Sequence, residues 1–155
     1  MSIQTSVGLA LVAAMLLKLP ALTQEKKIKR SDLPPAVEKT VVEQSRGAII
    51  RGFSKEKENG QTFYEAELMV NRHSKDVLMD ASGAVVEVEE QVEIDALPTV
   101  VRDGLQAKAG KGKLLRVESL TKHGKLVAYE AQVATDGKRS EVQVAPDGKP
   151  LDHQE

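Results

Sequence analysis

The sequence repeats itself. The run Tyr64-Glu65-Ala66-Glu67-Leu68 returns 65 positions later as Tyr129-Glu130-Ala131-Gln132-Val133. Gly47-Ala48-Ile49-Ile50-Arg51 is matched by Gly112-Lys113-Leu114-Leu115-Arg116, Val77-Leu78-Met79 by Val142-Gln143-Val144, and Gly83 by Gly148, all at an offset of 65. Leu33-Pro34 and Leu97-Pro98 sit 64 apart. Ordered landmarks at one period, slipping by a residue only between elements, mark a repeated supersecondary unit. A unit of about 60 residues has little core of its own. The two are therefore expected to pack together or share a sheet, as unit 1 over 31–92 and unit 2 over 93–155. The connection 89–93 holds no Gly or Pro and does not read as a flexible linker.

Each unit opens as a helix. Ser31 and Asp95 are expected N-caps, whose side-chain oxygens would accept a free first-turn N–H. Pro34 and Pro98 then fall in the first turn, where a missing N–H costs nothing. Leu33, Val37 and Val41, and likewise Leu97, Val101 and Leu105, recur at i, i+4, i+8 and make one apolar stripe. Gly47 and the pair Gly110/Gly112 stop the helices. Strands are expected over 49–54, 62–70, 76–80 and 85–88, and again over 114–120, 126–134 and 141–145. Asn59-Gly60 and His123-Gly124 are hairpin turns. After Gly148 only Lys149-Pro150-Leu151 remain to form a closing strand, so it is expected to be short.

Alternation assigns the faces. Tyr64, Ala66, Leu68 and Val70 point one way and Glu65 and Glu67 the other. Tyr129, Ala131 and Val133 likewise oppose Glu130 and Gln132. The expected fold class is α+β: two tandem units, each a helix on one face of an antiparallel sheet whose other face is polar and wet.

Residues 7–17 read VGLALVAAMLL, an apolar run too short to span a bilayer. Small residues Ala21 and Thr23 follow, and Gln24-Glu25-Lys26-Lys27 turns abruptly polar. This is the pattern of a signal peptide over 1–23, cleaved before Gln24, leaving a solvated basic tail over 24–30 and no stable membrane span. The expected location is periplasmic or secreted. There is no Cys, which excludes disulfides, thiolate metal sites and a cysteine nucleophile. A net charge of -1 provides no field for nucleic acid.

The order of Leu-Pro helix, Tyr-Glu-Ala strand and Val-to-Gly turn, twice over behind a signal segment, resembles the PepSY-like, β-lactamase-inhibitor-like domains of bacterial envelope proteins. The resemblance covers residues 31 to 151. It departs from the family pattern at 71–75, where Asn-Arg-His-Ser-Lys replaces the compact turn Asp136-Gly137-Lys138, and in the truncated last strand. The resemblance implies a tandem helix-on-sheet fold and a role in binding proteins. The partner implied is an unidentified envelope or secreted protein, such as a peptidase or other enzyme that the chain would inhibit.

The expected partner-binding face is the polar side of the sheet, carried by Phe63, Glu65, Glu67, Leu78, Glu130, Gln132 and Gln143, with Leu126 a further apolar outlier. No catalytic residue, cofactor or metal is expected. His73, His123 and His153 fall in turns or the tail and do not pair. The carboxylates lie on a solvated face with no apolar pocket to raise a pKa, and no Gly-x-Ser-x-Gly elbow or P-loop occurs. The alternative is a small-ligand carrier or small enzyme with a cleft between the units, which requires a pocket holding titratable groups of perturbed pKa.

Overall fold

The computed structural model describes residues 25–155; the expected signal segment lies outside them. One antiparallel sheet of eight strands runs in sequence order. Its strands are β1 (Lys26–Ile28), β2 (Ile49–Glu58), β3 (Gln61–Val70), β4 (His73–Asp80), β5 (Val85–Val92), β6 (Lys113–Lys122), β7 (Lys125–Thr135) and β8 (Lys138–Val144). Helices α1 (Pro35–Gln44) and α2 (Thr99–Ala109) precede β2 and β6. The fold class is α+β.

The two apolar stripes find separate cores. Leu33, Val37 and Val41 join Phe53, Ala66, Leu68, Val77 and Met79 in one buried cluster. Leu97, Val101 and Leu105 join Val117, Ala131, Val133 and Val144 in the other. Burying a Leu or Val side chain contributes about 1.5–3 kcal/mol. In a protein with two Phe, two Tyr and no Trp, these aliphatic clusters account for most of the buried apolar volume.

The helix starts differ from the expectation. Ser31 and Asp95 do not cap α1 and α2; they sit in 3-10 turns, Arg30–Asp32 and Ile94–Ala96, while Pro34 and Pro98 occupy the N-cap positions. The cause is the residue before each proline. Ring atoms of proline clash with a helical predecessor, so Leu33 and Leu97 are extended, with ψ of 137° and 145°. Both leucines still reach the cores from outside the helix.

Two segments expected to be free are strands. The basic stretch 24–30 is not simply a solvated tail: Lys26–Ile28 forms the edge strand β1, with Ile28 opposite Phe53. Residues 89–92, expected as a connection, extend β5 so that it pairs with β6, from Glu87 opposite Lys122 to Val92 opposite Val117. That pairing makes the sheet continuous. The closing strand after β8 is a single bridge between Val144 and Pro150.

The turns at Gly83 and Gly148 press against the helices. Both have positive φ, 82° and 80°. A Cβ on Gly83 would lie 2.5 Å from the Ala36 carbonyl oxygen of α1, and one on Gly148 2.0 Å from that of Val100 in α2. Only glycine meets both demands.

Candidate partner-binding face

Both helices cover the Ala66 and Ala131 side of the sheet. On the other side, strand register lines side chains up in rows. One row runs Ser54, Glu65, Leu78, Glu87, Lys122 across β2 to β6. The next runs Glu67, Asp76, Glu89, Leu120, Ala128. A third runs Gln91, Glu118, Glu130, Gln143. Beyond it, Gln132 stands between Arg116 and Glu141.

This face is not the wet surface expected. Glu118 is 7% exposed, Gln143 4%, Leu120 4% and Ala128 0%. No helix of the described residues lies over it; Leu120 stands opposite Ala128, and Glu130 stands between Glu118 and Gln143, so side chains of adjacent strands cover one another. The C-terminal residues add cover: the Glu155 N–H donates to Gln143 Oε1 at 2.9 Å, and the Glu155 carboxylate lies 3.4 Å from Lys122 Nζ.

Burial changes the carboxyls, contrary to the expectation of ordinary solvated acids. Glu65 is pushed up to about 7 by burial, against the pull of the Ser54 hydroxyl, which donates to it at 3.1 Å. Glu89 is pushed up to about 8 by burial and then by the neighbouring Glu118 charge. Burial also raises Asp76, Glu87 and Glu130, with Glu118 adding to Asp76, Lys122 opposing at Glu87, and the Gln143 amide opposing at Glu130. Low dielectric disfavours the charged form, and like charges on adjacent strands compound the effect.

Three cations on the face are engaged. Lys27 pairs with Glu25 and Glu67. The Arg116 guanidinium bonds Glu118 and the Ser74 hydroxyl. Lys122 stands 3.8 Å from Glu87. Among the described residues, no ion pair reaches Glu65, Asp76 or Glu89 within 4.0 Å. Asp76, Glu89 and Glu118 bring carboxylate oxygens within 4.8 Å of one another, the group among the described residues whose chemistry suits a hard cation.

The seven expected residues divide among five places. Phe63 and Leu78 line a groove of about 600 Å³ with Val86, Glu87, Lys122 and His123. Glu65 lies beside Leu78 in an adjoining recess of about 210 Å³ shared with Glu56, Asp76, Glu87 and Glu89. Glu67 sits one row over, held by Lys27. Glu130 and Gln143 are bonded to each other at 2.6 Å. Gln132 lies at the far margin beside Arg139, Ser140 and Glu141. Leu126 is misassigned: it pairs with Thr121, which pairs with Val88 of the helix-side core. The bulge between Leu120 and Thr121 shifts the alternation and turns Leu126 away.

Asp76, Glu87, Glu89, Gln91, Glu118 and Leu120, none of them among the expected site residues, fill the centre of the face. A signal existed in Glu87, Glu89 and Gln91, which alternate with Val88 and Val92 as one continuous strand would. His73 was also misplaced: it opens β4, with Nε2 2.7 Å from Glu93. His123 and His153 are exposed.

No known family profile matches the chain, and no curated protein matches it. Solved structures do. The chain is similar to a DUF2874 family protein of Bacteroides ovatus (20% identity, 77% of this chain and 86% of that one, TM-score 0.60). A candidate periplasmic protein of Bacteroides eggerthii is similar over 79% of this chain and 88% of its own, at 17% identity and TM-score 0.64. A BLIP-like protein of Bacteroides fragilis covers 77% and 83%, at 18% identity and TM-score 0.58. At these identities the likeness is one of fold. No helix of the described residues is long and apolar enough to cross a membrane.

Proposed function

We propose that this chain is an exported, non-catalytic binding protein, two copies of one helix-on-sheet unit, that docks a partner protein on the helix-free face of its sheet. The observation that carries the reading is that face. It is broad and framed by a continuous ladder of strands. It holds half-buried apolar side chains, Phe63, Leu78 and Val86, beside half-buried carboxyls that lack ion-pair partners, and no helix of the described residues covers it. Such a surface suits an interface, where an apolar anchor sits within a polar surround.

Supporting the envelope location are the signal pattern over 1–23 and the structural likeness to a candidate periplasmic protein. Supporting a restraining role on a peptidase or other envelope enzyme are the resemblance to inhibitor-like domains and the BLIP-like neighbour. Capture from an envelope extract tests the reading with three baits: wild type, a face variant (Phe63→Ser with Glu65→Gln and Glu67→Gln), and a helix-side variant (Val42→Ser). The expected result is one partner retained by wild type and the helix-side variant and lost from the face variant. Equal recovery on all three overturns it.

A second reading, a small-ligand carrier or small enzyme, draws on one specific observation. The groove is lined from both halves of the chain, by Phe63 and Leu78 on one side and Lys122 and His123 on the other, with Glu65 pushed up to about 7 beside it. That meets the requirement of a pocket with perturbed titratable groups. Thermal-shift screening against small polar ligands tests it; a raised Tm that Leu78→Ser abolishes would favour this reading over a protein interface.

A further inference from the structure

We infer that the groove over β3 to β6 receives a cationic, apolar-anchored peptide segment of the partner, its apolar side chain against Phe63, Leu78 and Val86 and its lysine or arginine over Glu65, Asp76, Glu87 and Glu89. This rests on the docking role proposed for the helix-free face and names what that face takes.

Charge complementarity at a shaped site selects this guest. The groove and the acidic recess share Leu78 and Glu87, so they form one continuous depression with an apolar end and an acidic end. The protein as a whole is close to neutral, at -1. The acidity of the recess is therefore local. Lys27 is committed to Glu25 and Glu67, Arg116 to Glu118, and Lys122 to Glu87 and Glu155, while Arg51 borders Glu65 and Asp76 without pairing with either within 4.0 Å. Glu65, Asp76 and Glu89 are left without a counter-charge within 4.0 Å among the described residues. A half-buried carboxylate without a partner is costly to keep ionised, and removing that cost is what an incoming cation supplies. An anionic or neutral segment would be repelled or gain nothing there.

The depression also limits the size of the guest. A groove of about 600 Å³ holds a few side chains, not a folded surface. A single extended stretch or loop of the partner fits, with a basic residue one or two positions from an apolar one. The rows set that spacing: Leu78 and Glu65 are direct cross-strand neighbours, and Glu89 lies in the next row.

The test uses the mature chain and three fluorescein-labelled hexapeptides read by anisotropy. The first is Gly-Leu-Arg-Leu-Lys-Gly; the second has Glu in place of both basic residues; the third has Ser in place of both leucines. The first should bind, with affinity falling as salt rises from about 0.05 to about 0.5 M. The second and third should each bind at least about tenfold more weakly. Glu65→Gln with Glu89→Gln should weaken the first peptide about tenfold, because a bound cation favours the ionised carboxylates and the amides cannot ionise. Glu141→Gln, exposed and outside the depression, should leave it unchanged. Gln is isosteric with Glu, and the peptide series on wild type does not depend on any variant folding. The inference is overturned if the charge-reversed peptide binds as well as the first, if the double variant binds the first as wild type does, or if none binds at millimolar concentration. A captured partner that competes with none of the peptides leaves the docking role standing and overturns this inference alone.

Discussion

Replacing Glu89 by Gln should make the protein more stable in alkali than wild type while changing little in acid. Glu89 sits between Asp76 and Leu120 in the central row, half-buried and without an ion-pair partner. An unfolded chain releases the Glu89 proton near 4.5, while the folded protein holds it until about 8. Between those values the folded state binds more protons, so stability is greatest below the unfolded value and is lost as pH rises through about 8. At about 1.36 kcal/mol per pKa unit the whole displacement corresponds to about 5 kcal/mol. Water still reaches part of the side chain, and screening brings the expected figure to about 2 kcal/mol. The amide introduced by Glu89→Gln has the shape of the protonated acid and no charge to bury. The measurement is urea unfolding followed by circular dichroism at about pH 5 and about pH 9, with the wild type and Glu89→Gln compared at each. With a slope of about 2 kcal/mol per molar urea, the midpoints should agree in acid and separate by about 1 M in alkali, the variant higher. Midpoints that move in parallel between the two conditions would refute the claim that burial of Glu89 opposes its ionisation.

Three other perturbations reach separate parts of the structure. Gly83→Ala combines a positive φ of 82° with a Cβ 2.5 Å from the Ala36 carbonyl and should cost about 2–4 kcal/mol, whereas Gly60→Ala, at the same φ with open space, should cost about 1 kcal/mol; their Tm difference isolates the turn-to-helix contact. Leu105→Ala empties a fully buried position in the second cluster and should cost about 2–5 kcal/mol, read as a lower urea midpoint at unchanged slope. Ser54→Ala removes the hydroxyl that donates to Glu65 and should raise that carboxyl above its value of about 7, visible as a shifted side-chain carbon titration by NMR; an unmoved titration would contradict the role given to Ser54.

Much of the local structure was legible from residue order. Helix stripes spaced at i, i+4 and strand alternation depend on neighbours a few positions apart, so Val37, Val41, Val101 and Leu105 were placed in the cores correctly, as were Ala66, Leu68, Ala131 and Val133. The hairpins at Asn59-Gly60 and His123-Gly124 were legible because their dipeptides favour positive φ, and the residues adopt it. Errors came where a local rule met a competing one. Capping preferences pointed to Ser31 and Asp95, but the pre-proline constraint on Leu33 and Leu97 moved the helix starts past the prolines. Strict alternation placed Leu126 outward, but a bulge next to it inverted the pattern.

The helix-free face itself shows the division most clearly. Sequence alone determined which side chains point to it along β3 and β7, because side-chain direction in a strand alternates every residue. It could not determine what surrounds them there. That depends on which strand lies alongside, and the pairing of β5 with β6 joins residues about 30 positions apart. Only with that pairing in place do Asp76, Glu89 and Glu118 meet, does Leu120 fall between them and Ala128, and do the side chains of adjacent strands exclude water from their carboxyls. Direction is a property of each strand; desolvation and like-charge repulsion belong to the assembled sheet.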